Sequence, residues 1–510
     1  MYYLGNDASA DVILFWARLP ILLLAVAFGI ALYVICRRRY GEATALLALF
    51  LYALSPNYIA HATLVTTDLG ASVFIFLAIA AFGRFMDLPG KANVLVLSLG
   101  LAGAELAKFS GFILYPLLGF MCLVVVIVSP RPRSIWERFK NYFGGYVGAA
   151  ALSIVWVWVF YFPQVRNMPN NVQYNLISGA LADAGQTSFD SVLHTLNGVV
   201  ILKPLVQYLL GLALVYGRVS NGNVTYFNGQ VSATGFQLYF PELFAAKTQV
   251  AFLILLLVAA LAILWRAPSH RHPLKRVARH IRTHVLEWTL GVFAAFYFTI
   301  SAIGKLDLGI RHILPIYIPL FVLVAITTIK IWRSAIARGK GFLATVFFGG
   351  LLAWYGASTV LVYPNFLSYF NEIFGGANNA DKYFADSSVD WGQDLKRFKS
   401  YVDDHPQIKH IALDYFGGGE PAYYFCGRRY DLSGALVTNQ NGFDCSHSVY
   451  EPWHAQNGQY TGQYIAVSET FLEYDRYYSR YNAPSDSYDY LRSRTPIAKI
   501  GGSIYVYKLY

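Results

Sequence analysis

The stretch SPNYIAHATLVTTDLGA, from Ser55 to Ala71, sets one histidine and one carboxylate among threonines between two apolar runs. His61 offers an imidazole, and Asp68 an acidic oxygen suited to general-base work or to a divalent cation (Mg, Mn or Ca). Two further clusters have the same character. GAELAKFSG carries Glu105 and Lys108, and GKLDLGIRHILP carries Asp307, Arg311 and His312. A guanidinium fork beside the N-terminal end of a helix makes a phosphate cradle, because its paired N–H donors match two phosphate oxygens. Together these residue types describe a site for a phosphate-headed lipid.

Each residue also has a plain structural reading. Asp68 follows Thr66 and Thr67 directly before an apolar run, which suits a helix cap. Glu105 and Lys108 stand three apart and neutralise each other if they share a helical face. Arg311 suits an interface anchor, and His61 a hydrogen bond to a carbonyl.

Apolar elements must hold these residues. The 510 residues are 56% hydrophobic and 14% charged, with mean hydropathy +0.42, a composition that points to an integral membrane protein. Runs near the length that crosses about 30 Å of hydrocarbon fall at 14–36, 43–60, 69–86, 92–107, 109–129, 144–162, 249–265, 286–303, 313–329 and 342–362. The positive residues set their orientation. Arg37, Arg38 and Arg39 mark the first cytoplasmic end. Alternation then gives the cytoplasmic loops Arg84 and Lys91; Arg131, Arg133, Arg138 and Lys140; Arg266, Arg271, Lys275, Arg276, Arg279 and Arg282; and Lys330, Arg333, Arg338 and Lys340. The net charge of +11 is thereby a topology signal, and no nucleic-acid partner is needed to explain it.

This orientation puts His61, Asp68, Lys108, Arg311 and His312 at the outer face. It also puts Met1 outside, which predicts a further span and loop upstream of the sequence MYYLGNDASADVILFWARLP. The outer loop 163–248 holds VVILKPLVQYLLGLALVYG, broken by Pro204, which reads as an interfacial helix; a re-entrant helix or one more pair of spans fits as well. The expected fold class is therefore an α-helical polytopic membrane protein of about ten spans, residues 1–363, with a small α/β domain outside, residues 364–510. IKHIALDYF, QYIAVSE and SIYVYKLY read as its strands and SYDYLRSR as helix. In an oxidising compartment Cys426 and Cys445 are expected to pair, whereas Cys36 and Cys122 fall in spans. Asp386, Asp390 and Asp394 recur every four residues, giving on a helix one acidic stripe: a solvated face, a lid that docks on the membrane part, or a calcium site.

Several segments are similar to one enzyme group. LYALSPNYIAHATLVTTDLGASVFIFLA resembles the second-to-third-span region of GT-C superfamily glycosyltransferases, in the phospholipid-carrier-dependent branch of protein O-mannosyltransferases and the lipid A aminoarabinose transferase. FNGQVSATGFQLYFPELFAAKTQ, LGIRHILPIYIP, and YPNFLSYFNEIFGG with DSSVDWGQDLKRFKSYV resemble further segments of that branch. The resemblance covers nearly the whole chain and implies inverting transfer of a sugar from a polyprenyl-phosphate donor to a protein, glycan or lipid acceptor. It implies a bacterial inner membrane, with the C-terminal domain in the periplasm. Asp68 matches the second acidic position of the group, with Arg311 and Lys108, and with them His61 and His312, as donor-phosphate contacts. The group's primary acidic residue belongs to a loop expected upstream of Met1, and Asn6-Asp7 is no convincing substitute. A transporter or flippase for lipid-linked sugar is the alternative of another class, but paired inverted repeats with broken helices are not found in the sequence. An inactive sugar-lipid-binding scaffold is the third.

Overall fold

The computed structural model describes residues 9–130, 134–265, 273–428, 443–479 and 488–510. Arg131, Arg133, Arg266, Arg271 and the segment through Asn6-Asp7 lie outside the described residues.

Among those described, eight helices are long and apolar enough to cross a membrane, or up to ten if each of two bent pairs is one span. The bent pairs are Glu42–Ala53 with Pro56–Ala62, at 65°, and Tyr239–Lys247 with Val250–Trp265, at 113°. Pro56 accounts for the first bend: it lacks the N–H that a continuous helix needs and serves instead at the start of the next one. Nine of the ten expected spans have a counterpart among these. The run 92–107 forms a 17-residue helix, Lys91–Ala107, which packs against Asp68–Asp87 and Gly145–Val165. Large apolar side chains such as Phe15, Leu23, Val26 and Ile30 stand exposed along the first helix, as lipid-facing residues do.

The helices differ in enclosure. In Asp68–Asp87, 78% of the apolar stretch is buried, and in Ile310–Ala337, 72%; Ala10–Tyr40 and Gly341–Leu361 reach only 28%. The first two therefore form the middle of the bundle. Asp68 and Arg311 stand at their N-terminal ends. The basic ends gather on the opposite face, where Arg39 pairs with Asp87 at 2.5 Å and Arg84 donates to Asn93 at 3.0 Å.

The segment expected as the outer loop 163–248 is largely helical: Asn170–Asp183, Asp190–Asn197, Lys203–Asn221 and Tyr239–Lys247, with a hairpin of Thr225–Phe227 and Gln230–Ser232. The helix through Pro204 packs against Gly145–Val165 and against the two helices that precede it. Ile201 accepts from Trp158, Tyr208 packs on Phe109 and Tyr161, and Asn223 donates to the Asp307 carbonyl. The same helix, Val200–Asn221 with its first turn, is long and apolar enough to cross a membrane.

Beyond Leu361 the expected boundary at 364 shifts. Phe370, Ala380, Phe384 and Val389 pack into the core of the helical bundle, and the separate core of the outer domain begins at Leu395. Its five-stranded sheet has the order Tyr450–Pro452, Ile411–Asp414, Tyr464–Ser468, Ile504–Lys508, Ala498–Ile500. The first three strands are parallel and the remaining pairings antiparallel. Helix Leu395–Asp403 covers one face and Glu469–Ser479 the other. All three expected strands and the Asp489–Arg492 helix form. Cys426 and Cys445 are joined in a disulfide, 19 residues apart, while Cys36 and Cys122 are free and buried.

Candidate functional site

The helix Lys91–Ala107 ends one residue before Lys108, whose backbone is extended. This break decides the pairing. Lys108 turns away from Glu105 and meets Asp68, Nζ to Oδ1 at 2.7 Å. The expected neutralisation of Glu105 by Lys108 does not occur; both Glu105 carboxylate oxygens are buried with no hydrogen-bond partner. The cap reading of Asp68 also fails. Asp68 is the first helical residue, Thr67 precedes it in helical conformation, and no side chain caps the end. The Asp68 side chain is 4% exposed and the Lys108 side chain 26%, so the lysine is the more open member of the pair.

His61 belongs to the short helix Pro56–Ala62. It is fully buried, and neither ring nitrogen has a hydrogen-bond partner, so the expected bond to a carbonyl is absent. His312 packs with its ring near Phe240 and Tyr297, at 5.4 and 6.0 Å between centroids, and its Nδ1 is buried without a partner. His61 and His312 each lie within electrostatic reach of Asp68, Lys108 and Arg311, and Asp68 within reach of Arg311 as well as Lys108.

Arg311 sits in a turn of helix, Ile310–Ile313, that leads through Leu314–Ile316 into Tyr317–Ala337. Gly309 opens it with φ 76°, and a Cβ there would come within 2.7 Å of Ser387 Oγ and 2.8 Å of Ser388 Oγ. Only glycine permits both that backbone and that approach. Arg311 donates from Nε to the Leu308 carbonyl at 3.0 Å, and its guanidinium lies 4.7 Å from the centre of the Trp391 ring. Its terminal nitrogens have no protein acceptor among the described residues, which leaves an in-plane fork for an anion.

Asp307 stands apart from this group. Its Oδ2 accepts from the Phe236 N–H at 2.8 Å, and Oδ1 is buried without a partner. Burial pushes its carboxyl up to about 6, opposed by that N–H.

Two residues of the site region escape sequence reasoning. Lys247 is 1% exposed. Its ammonium donates to the carbonyls of Leu367, at 2.6 Å, and Ser388, at 2.5 Å, and lies over Phe370. A lone lysine between two apolar runs is the signal that marks it. Trp391 belongs to the stretch expected as an acidic stripe. That stretch is not one helix: Asp386–Ser388 is a 3-10 turn and Asp394 precedes the helix Leu395–Asp403. Asp390 and Asp394 are buried rather than solvated, and burial raises the Asp390 carboxyl well above its usual range. The docking alternative describes the segment, since Ser387 bonds the Leu308 carbonyl at 2.8 Å.

A divalent cation needs several oxygen or nitrogen ligands around one point. Among the described residues no group of three His, Cys, Asp or Glu could hold one, and Asp68 already has Lys108 against it. Among the described residues this donor set does not fit a metal.

Residues 11–158 match the family model of dolichyl-phosphate-mannose-protein mannosyltransferases. This mannosyltransferase-like segment contains His61, Asp68 and Lys108, while Lys247, Arg311 and His312 lie beyond it. Among solved structures the chain is similar to ArnT from Cupriavidus metallidurans bound to undecaprenyl phosphate. The identity is 15%, over 96% of this chain and 83% of that chain, with a TM-score of 0.39. The apo state of the same protein gives the same identity and coverage with a TM-score of 0.32. No curated protein sequence matches the chain.

Proposed function

We propose that this protein transfers a sugar from a polyprenyl-phosphate-linked donor to an acceptor hydroxyl on the outer face of a bacterial inner membrane. The observation that carries the reading is the placement of two cations, Lys108 and Arg311, beside the outer ends of the two most enclosed helices. A lipid phosphate moving in the plane of the bilayer meets them at headgroup depth. The family match over residues 11–158 supports the same class of donor.

In the proposed reaction the bond between the sugar's anomeric carbon and the phosphate oxygen breaks as the acceptor oxygen attacks from the opposite side, inverting the centre. Negative charge grows on the departing phosphate. Fixed cations stabilise that charge without having to reorganise. Arg311 presents its free fork, and Lys108 its ammonium. Asp68 holds that ammonium by its 2.7 Å ion pair, a positioning part rather than that of a base. The acceptor's hydroxyl proton passes to a general-base carboxylate other than Asp68.

The test is transfer of labelled sugar in proteoliposomes containing the full chain and a polyprenyl-phosphate sugar. Wild type should transfer, and Lys108→Ala and Arg311→Ala should each fall by about 100-fold or more, the scale of losing one charge-stabilising donor. Wild-type rates in both variants would remove them from the site.

A further inference from the structure

The segment 386–394 joins both halves of the molecule, and its two ends are fixed by different partners. At the bundle end, Ser387 Oγ donates to the Leu308 carbonyl, the oxygen that also accepts from Arg311 Nε. Trp391 turns its indole N–H back to the Ser387 carbonyl at 3.0 Å, and its backbone N–H donates to Gln393 Oε1 at 2.7 Å. The ring is thus anchored through its N–H, its backbone is fixed by Gln393, and its face meets the guanidinium.

At the other end the segment sits on the sheet. Tyr415, just past the strand Ile411–Asp414, donates from its hydroxyl to the Gly392 carbonyl at 2.6 Å. Phe416 N–H donates to Ser468 Oγ at the end of the neighbouring parallel strand. Asp394 Oδ2 accepts from Ser503 Oγ at 2.8 Å, and Oδ1 from Arg397 at 2.5 Å. Ile411–Asp414 has a parallel neighbour on each side. The carboxyl edge beside such a strand is where open α/β sheets usually take a ligand. Here the chain's own segment lies at that edge.

We infer that Trp391 is a positioning residue for Arg311, so that the outer domain, through the segment 386–394, fixes the guanidinium that holds the donor phosphate. A cation over an indole face within about 6 Å is attracted by the ring quadrupole. Stacking leaves the in-plane N–H donors free, so the contact orients the fork without consuming it. The inference rests on the reading of Arg311 as a donor-phosphate contact.

The experiment measures binding of a short-chain polyprenyl phosphate to the full chain in detergent, together with donor KM and kcat. Trp391→Ala should weaken binding and raise donor KM about 3- to 30-fold, the range cation–π contacts span from exposed to desolvated settings. Trp391→Phe should restore most of the affinity, and Trp391→Leu, apolar but without a quadrupole, should not. In an Arg311→Ala background Trp391→Ala should have no further effect, since two residues acting through one contact are not additive. Wild-type binding by Trp391→Ala, equal binding by the Phe and Leu variants, or multiplying losses in the double variant would overturn the inference while leaving the donor reading intact. If Trp391→Ala fails to fold, the Phe and Leu variants decide. Absence of saturable binding by wild type would overturn the donor reading and the inference with it.

Discussion

At the scale of single residues, the Asp68–Lys108 pair separates stability from chemistry. Removing one partner of a buried ion pair leaves the other charge uncompensated, at about 3–5 kcal/mol, whereas replacing both with apolar side chains of similar volume is often neutral. Because Lys108 is partly exposed, the lower end or below applies. Lys108→Met alone should lower the unfolding temperature, and Asp68→Leu with Lys108→Met should recover it. Transfer should stay lost in both, and recovery of transfer in the double variant would show that the pair serves the fold alone. Asp307 gives a pH dependence. Its folded value of about 6 lies above the usual 3.9 of an aspartate, so the folded state binds the extra proton. This contribution to stability is full below about pH 4 and declines as pH rises to and through 6. Asp307→Asn should flatten that part of the stability profile, measured as unfolding temperature against pH; an unchanged slope would contradict it. Asp68, Lys108 and Arg311 were all legible in the sequence as charges beside apolar runs. The partner of Lys108 was not, because a helix continuing one residue further would have kept Glu105 as its neighbour.

At the scale of elements, the turn before Arg311 depends on Gly309. Gly309→Ala puts a side chain at φ 76° and drives its Cβ into the hydroxyls of Ser387 and Ser388. The strained backbone alone costs about 1–3 kcal/mol. The expected outcome is a lower unfolding temperature, faster proteolysis within 386–394, and a raised donor KM; an unaltered digestion pattern would argue against this seat. Nine of the ten spans were readable from hydropathy because those apolar runs approach the length the bilayer demands; the run 92–107 forms a helix of 17 residues, at the short end of that length. The helix Lys203–Asn221 was less so: Pro204 breaks the apolar run in the sequence, yet it serves in the first turn of a helix apolar and long enough to cross. The acidic repeat 386, 390, 394 misled for a related reason. A four-residue period implies one face only if the backbone is helical, and Gly392 interrupts it with φ 70°.

At the scale of the whole molecule, the two faces make a sidedness prediction. Cys36 and Cys122 are buried and Cys426 and Cys445 are bonded, so introduced cysteines report cleanly. A membrane-impermeant maleimide should label Asp404→Cys in intact cells and Lys340→Cys only after permeabilisation. The reverse pattern would invert every functional assignment. Reductant should lower the stability of the outer domain, because the Cys426–Cys445 link closes a loop of a size that contributes about 3 kcal/mol, and it should leave the bundle untouched. The division into a bundle and an outer domain was legible from the change in composition. The boundary itself was not, since 364–389 carries the polar residues of a surface segment yet inserts Phe370, Phe384 and Val389 into the bundle.

That insertion bears on biogenesis. The ribosome delivers Phe370 and Ser388 after the last span, yet helix Tyr239–Lys247 relies on that late segment to satisfy the ammonium of Lys247 and to cover its aromatic neighbours. Until that segment has been made, the end of this early helix stays unfinished, with a stranded cation beside uncovered rings. A chain cut short after the final span would keep that buried ammonium without its two carbonyl partners.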